Sequence, residues 1–158
     1  MTDMPIEVVR SARRRRTAHC RIVDGKLRVL LPAGLAQEQE AAVVDKLVTR
    51  VIRKASSAEV DLAARARELA GRYGLRIPTH IEWSARQHTR WGSCSPDRGR
   101  IRISNRVASM PGWVLDWVLI HELAHLEVPD HGARFHALVD RYELRERATG
   151  YLIAKGET

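Results

Sequence analysis

The sequence has 158 residues and a formal net charge of +8, with 44% hydrophobic and 29% charged residues. This length suits one ordinary domain, and this composition is that of a globular protein, which excludes a disordered or fibrous chain. The positive charge favours acidic or polyanionic partners at low salt.

The N-terminal part of the chain predicts a small sheet that carries a basic block. Residues 6–9 read as a strand. Residues 18–32 read as a hairpin joined by Asp24-Gly25, a pair that tolerates the positive φ of a tight turn. The arginines of residues 13–16 lie between the strand and the hairpin. We interpret them as a solvated strand edge that discourages pairing with other chains, and binding of nucleic acid or a nucleotide is the alternative.

Two helices are expected next. Apolar residues recur at three- and four-residue intervals between residues 35 and 54, which is the pattern of an amphipathic helix. Ser56 and Glu59 have the spacing of a capping box, so a second helix is predicted to start at Ser56 and to run to about Tyr73. Gly74 is placed to end it with a left-handed cap.

Strands return in the middle of the chain, and helices follow. Residues 79–84 are predicted as a strand, and residues 89–94 and 100–104 as a hairpin whose two isoleucines cover a core. A buried helix is predicted over residues 113–126, with Pro111 at its first position and Pro129 stopping it. Asp130 is expected to cap a helix from His131 to about Leu144, and a last helix runs from residue 145 to about residue 155.

The buried helix carries His121-Glu122-Leu123-Ala124-His125 near its middle. Residues four apart share a helix face, so both imidazoles can reach one ion, and Glu122 is placed to take a proton from metal-bound water. The alternative is a pair of core histidines without a metal. Burying such polar groups without partners would cost on the order of several kcal/mol, which favours the metal site.

A catalytic zinc needs a third protein ligand and an open fourth position. His131 is predicted to supply the ligand, because it follows His125 by six residues, after the bend at Pro129. The same interval occurs in H-E-x-x-H-x-x-G-x-x-H proteases, although Val128 stands here in the glycine position. His136 is the rival third ligand. The other histidines considered have no partner spacing: His19, His80 and His88.

Several stretches taken together resemble the YgjP-like metallopeptidase family, which is related to SprT-type and Wss-type zinc proteases. They are Arg90-Trp91-Gly92-Ser93-Cys94-Ser95, residues 101–105, residues 121–126, Asp130-His131 and Phe135. The resemblance implies an α+β fold: a small zincin-like single domain, in which a mixed sheet with the N-terminal β-hairpin packs against helices that include the metal-binding helix. Residues 1–158 would be one domain, with a basic strand and hairpin (1–32), a helical pair (33–75) and the zincin core (76–158).

The resemblance also implies roles for individual residues. His121, His125 and His131 would bind zinc, with Glu122 as the general base. The segment beside the cleft would bind substrate by pairing with an extended peptide, through Arg90, Trp91, Gly92 and Ser93. The alternative is a hairpin strand that only packs Trp91 on the core. Cys94 is expected to be buried or to lie behind the ligands, and His136 stands where the family usually has a tryptophan.

These residues predict a zinc-dependent hydrolase, in particular a metallopeptidase in which zinc-bound water activated by Glu122 attacks a peptide carbonyl. Tyr142 or Arg141 could stabilise the oxyanion, but the spacing selects neither. Two alternatives stay open. One is a metal-dependent nucleotide phosphohydrolase, similar to a nucleoside triphosphate pyrophosphatase. The other is a nucleic-acid-binding module with structural zinc, which would need a fourth ligand from Cys94 or His136.

Cysteine usage and hydropathy indicate the compartment. The two cysteines, Cys20 and Cys94, lack C-x-x-C spacing, and such sparse usage is typical of a reducing environment. No apolar run of about eighteen residues occurs, and residues 1–10 lack the apolar core of a secretory signal. We therefore expect a cytoplasmic protein with no membrane partner.

Overall fold

A computed structural model of the chain describes residues 4–156. The fold is α+β, as predicted, with helices and two mixed three-stranded sheets. The chain forms two compact units, one ending at Ser56 and the other beginning at Ser57. The assignment of residues 1–158 to a single domain stays a prediction. None of the described helices is both long and apolar enough to cross a membrane.

The first unit is a sheet backed by a helix. Its elements are β1 (Ile6–Ser11), β2 (His19–Val23), β3 (Lys26–Pro32) and most of α1 (Gln37–Glu59). β3 lies between β1, to which it is parallel, and β2, to which it is antiparallel. Asp24 and Gly25 have φ angles of 50° and 72°, which confirms the predicted tight turn. Alternate residues of β3 are buried against α1 because successive side chains point to opposite faces.

The boundary between the first two helices differs from the prediction. α1 continues through Ser56, and α2 (Leu62–Tyr73) begins after Asp61, whose carboxylate accepts a hydrogen bond of 2.9 Å from the Ala64 N–H. The capping box predicted at Ser56 is therefore wrong, since an aspartate further along the chain satisfies the free N–H group instead. Gly74 ends α2 at φ 65°, as predicted.

The second unit places a sheet against α3. Besides α2 it contains β4 (His80–Ser84), β5 (Gly92–Ser95), β6 (Arg100–Ser104), α3 (Gly112–Ala124), α4 (Ala133–Val139) and α5 (Arg145–Ala154). β6 lies between β4, to which it is parallel, and β5, to which it is antiparallel. Ile101 and Ile103 of β6 are fully buried. The predicted hairpin is confirmed, although β5 begins at Gly92 and therefore later than expected.

The ends of α3 also differ from the prediction. Pro111 is the residue before the first helical position, where its missing N–H still costs nothing. α3 ends at Ala124, so the histidine motif occupies its last turns rather than its middle. This position matters because the chain is free to bend directly after the second histidine.

The helix predicted to begin at His131 begins later. Gly132 is the N-cap residue of α4, which ends at Val139 rather than near Leu144. The Asp130 carboxylate accepts a hydrogen bond of 2.8 Å from the Gly132 N–H. Such a local turn competes with helix formation, so His131 lies in the loop before α4 and not on the helix.

Candidate metal centre

Three imidazoles converge at the end of α3. The Nε2 atoms of His121 and His125 lie 3.2 Å apart, and the Nε2 atom of His131 lies 3.3 Å from the first and 3.1 Å from the second. A tetrahedral zinc with Zn–N distances of about 2.0–2.1 Å would hold such nitrogens about 3.3 Å apart. The triangle therefore has the size of three ligand positions around one ion, with a fourth position left open. Within residues 4–156 these histidines form the one group of three or more candidate ligands.

The bend after α3 orients the second histidine. The Nδ1 atom of His125 lies 3.0 Å from the Val128 carbonyl oxygen. If Nδ1 carries the proton and donates it there, Nε2 keeps its lone pair for a metal. The Val128 N–H in turn donates to the Ala124 carbonyl over 3.0 Å. The bend is thus closed by backbone hydrogen bonds, without the glycine that related motifs carry at this position.

Phe135 of α4 forms a platform beneath the histidines. Its ring centroid lies 5.0 Å from that of His121, 4.5 Å from that of His125 and 4.7 Å from that of His131. The Phe135 side chain is 1% exposed. One fully buried ring therefore contacts all three imidazoles and limits how far each can turn.

Burial favours the neutral, metal-binding form of His121 and His125. Burial and the neighbouring imidazoles together lower the pKa of His121 to about 4. Burial also lowers the pKa of His125. Because a ligating imidazole must be neutral, both rings are ready to coordinate at neutral pH.

Glu122 is a buried carboxyl beside the histidines. Its side chain is 6% exposed. Burial raises the pKa of Glu122 to about 8, although the positive charge of Arg90 acts in the opposite direction. The Glu122 carboxylate lies directly against Gly92 of β5. A carboxyl whose pKa is near the working pH can take up and return a proton, which is the property of a general base.

A cleft of about 850 Å³ opens over these groups. Its lining comes mainly from the segment 89–94 and from α3 and α5, which contribute Trp117, Val118, Thr149, Leu152 and Ile153. The α5 residues carry no signal in the sequence, because helical periodicity reports burial and not which cleft a helix faces.

All four residues predicted to bind substrate line this cleft: Arg90, Trp91, Gly92 and Ser93. Trp91 also packs against the core, so the two readings of this strand are not exclusive. The Arg106 guanidinium lies 3.9 Å from the Trp91 ring centroid, a cation–π contact that fixes the ring. The Ser93 hydroxyl accepts a hydrogen bond of 2.7 Å from Gln87 and thereby holds the loop that carries Arg90 and Trp91.

The two suggested oxyanion donors do not line the cleft. The Tyr142 hydroxyl donates to the Trp113 carbonyl over 2.8 Å, and burial raises the pKa of Tyr142 to about 12. Arg141 donates to the Tyr73 carbonyl over 2.9 Å. Both groups therefore serve packing within the second unit.

The possible fourth ligands also lie outside the histidine cluster. Cys94 is half-buried and lines the cleft; burial raises the pKa of its thiol to about 11, with the Glu122 charge adding to the effect. The Cys94 thiol does not belong to the cluster of candidate ligand atoms that the three histidines form. His136 is exposed and is not part of the cleft lining.

Comparison with known proteins identifies a matching family model and two solved structures of similar fold. A family model described as YgjP-like, metallopeptidase domain, matches residues 29–143. No curated protein matches the chain significantly. The fold is similar to that of the metallopeptidase zymogen of Pyrococcus abyssi abylysin, at 19% identity and a TM-score of 0.53, over 59% of this chain and 92% of that one. It is also similar to the metallopeptidase zymogen of Methanocaldococcus jannaschii jannalysin, at 19% identity and a TM-score of 0.53, over 61% and 97% of the two chains.

Proposed function

The chain belongs to the YgjP-like metallopeptidase family, and from this premise we propose that its three converging histidines hold zinc and that Glu122 is the general base. Membership makes the protein a metallohydrolase that acts on peptides or proteins and implies a divalent metal. The identity of the metal and the role of each residue belong to the proposal. The observation that carries it is the triangle of Nε2 atoms, with sides of 3.1 to 3.3 Å.

The donor set favours zinc. Neutral imidazoles suit zinc, whereas magnesium and calcium prefer oxygen ligands. Zinc held by three imidazoles would polarise a carbonyl group and make a water molecule more acidic.

The other groups of the cleft suit the hydrolysis of a peptide bond. The buried Glu122 carboxylate is placed next to the histidines and can take the proton of the attacking water. Arg90 places a positive charge near it, which helps Glu122 to ionise. β5 lies at the edge of its sheet, and its free backbone groups can pair with an extended substrate.

The alternatives find less support. A structural zinc would need a fourth ligand, and neither Cys94 nor His136 belongs to the ligand cluster. A magnesium-dependent nucleotide hydrolase would need a group of carboxylates, and the described part of the chain contains no candidate cluster besides the three histidines. Nucleic-acid binding by residues 13–16 and a cytoplasmic location stay predictions.

The decisive experiment compares the wild type with Glu122→Gln and with Glu143→Gln, a control at an exposed carboxylate outside the cleft. Zinc content is measured by mass spectrometry, and hydrolysis is measured on an unstructured protein and on nucleoside triphosphates. We expect Glu122→Gln to retain zinc and to lose about 100-fold or more of its proteolytic rate, as loss of a general base does. The control should match the wild type.

Three results would contradict the proposal. Hydrolysis of nucleoside triphosphates without proteolysis would favour the phosphohydrolase. Zinc binding without any hydrolysis, together with salt-dependent retention on DNA, would favour the binding module. Unchanged proteolysis in Glu122→Gln would remove Glu122 from the mechanism.

A further inference from the structure

One wall of the cleft is apolar and adjoins the metal centre. Trp117 lies one helical turn before His121, and Val118 lies one turn before Glu122, so both side chains sit on the α3 face that carries the reactive groups. Leu152 and Ile153 of α5 line the same cleft. We name these residues the α3–α5 wall: Trp117, Val118, Leu152 and Ile153.

α5 is held firmly in this position. Ala148 and Leu152 are buried in the core of the second unit. The Tyr151 ring packs edge-on against Trp113, with centroids 5.5 Å apart, and the Arg147 guanidinium lies 4.7 Å from the centroid of the same Trp113 ring. The face that α5 turns toward the cleft is therefore defined by packing elsewhere on the helix.

Ile153 is conspicuous on that face. Its exposure of 57% is the highest of the large hydrophobic residues within the described chain. Thr149, four residues earlier, also lines the cleft, as expected for positions that share a helix face. A hydrophobic side chain that lines an active-site cleft and is exposed to solvent can bury apolar area when a substrate binds.

The charges of the cleft are concentrated away from this wall. Apart from the three histidines of the candidate metal centre, the ionisable residues that line the cleft are Arg90, Cys94 and Glu122, and none of them belongs to this wall. The charged residues of α5, such as Arg147 and Lys155, are absent from the lining. An acidic or basic substrate side chain would find no counter-charge on the α3–α5 wall.

We infer that the α3–α5 wall is a specificity subsite, which selects peptides with a large apolar side chain next to the cleaved bond. This inference rests on the proposed peptidase function and names its substrate class. Hydrophobic pockets discriminate by about 10–200-fold for one methylene group. A leucine should therefore be preferred over a charged residue by at least about 10-fold in kcat/KM.

The test uses zinc-loaded full-length protein and a peptide series with one cleavage site. Leucine, alanine, aspartate and lysine are placed in turn on each side of the cleaved bond. Wild type should prefer leucine on one side. Ile153→Asp should lose this preference by about 10-fold and gain relative activity on lysine, and Ile153→Lys should gain on aspartate. The matched control is Ile77→Asp, since Ile77 is 55% exposed and lies outside the cleft.

A binding measurement separates recognition from chemistry. The Kd of the leucine peptide is measured for Glu122→Gln with and without Ile153→Asp, and the second substitution should weaken binding about 10-fold. If zinc-loaded wild type cleaves no peptide, the proposed function fails. If it cleaves leucine and aspartate peptides equally, or if Ile153→Asp behaves like Ile77→Asp in both assays, the subsite is overturned while the function stands.

Discussion

Gly92 and Glu122 touch so closely that a Cβ atom on Gly92 would lie 2.6 Å from Oε1 and 2.7 Å from Cγ of the glutamate. Real Cβ atoms essentially never make such contacts. The first residue of β5 is therefore the neighbour that sets where the buried carboxylate of α3 can point.

Gly92→Ala should impair catalysis and spare the metal. The added methyl group must push the Glu122 carboxylate aside, and a misplacement of about 1 Å can cost about 100-fold in rate. We expect proteolysis to fall by about that factor while zinc content stays at the wild-type level, measured on the same samples. Gly71→Ala is the control, since a Cβ at Gly71 meets nothing within 4 Å; equal activity of the two variants would refute the steric argument.

His131→Ala should remove the metal, whereas His136→Ala should not. His131 contributes a nitrogen to the triangle with His121 and His125, whereas His136 does not belong to it and is exposed. Loss of an outer partner of a ligand costs about 10–100-fold in metal affinity, so loss of the ligand itself should cost more. Competition with a fluorescent zinc chelator measures both values. A smaller loss of zinc affinity for His131→Ala than for His136→Ala would mean that His136, and not His131, is the third ligand.

Phe135→Ala should destabilise the metal-free protein and weaken zinc binding. Truncating a fully buried phenylalanine costs about 3–5 kcal/mol in the free energy of unfolding, and here it also removes the platform under the imidazoles. Urea unfolding with zinc and with a chelator present separates the two effects. Phe135→Leu, which keeps most of the volume, is the control; a loss below about 1 kcal/mol for the alanine variant would contradict the packing seen in the structure.

Asp61→Ala should lower the free energy of unfolding by about 1 kcal/mol, because it removes the side-chain cap of α2. Ser56→Ala should change it by less than about 0.5 kcal/mol, since Ser56 lies inside α1. Urea unfolding of both variants measures the difference. A larger loss for Ser56→Ala would restore the capping box that the sequence suggested.

The parts of the site that follow from short-range rules were predictable from the sequence. His121 and His125 share a face because they are one helical turn apart, and Pro129 forces a bend that returns His131. Outside the site, the turn at Asp24-Gly25 was also predictable, because the φ preferences of these two residues act locally.

Other features depend on competition or on packing between distant segments. Ser56 and Asp61 both offer a cap, and nothing local decides between them. The approach of Gly92 to Glu122 and the exposure of Ile153 at the cleft arise only when β5, α3 and α5 pack together. No periodicity within one segment reports such an arrangement, so the α3–α5 wall was absent from the prediction.

The converging Nε2 atoms of His121 and His131 belong to residues only ten positions apart in the chain. Closing so short a loop gives up little conformational entropy, whereas β5 and α5 must reach the cleft from opposite sides of that segment in the sequence. During folding the chelating triangle can thus assemble before the walls that hold a substrate. If the triangle binds an ion, the segment that supplies it is therefore the part of the cleft with the shortest loop to close.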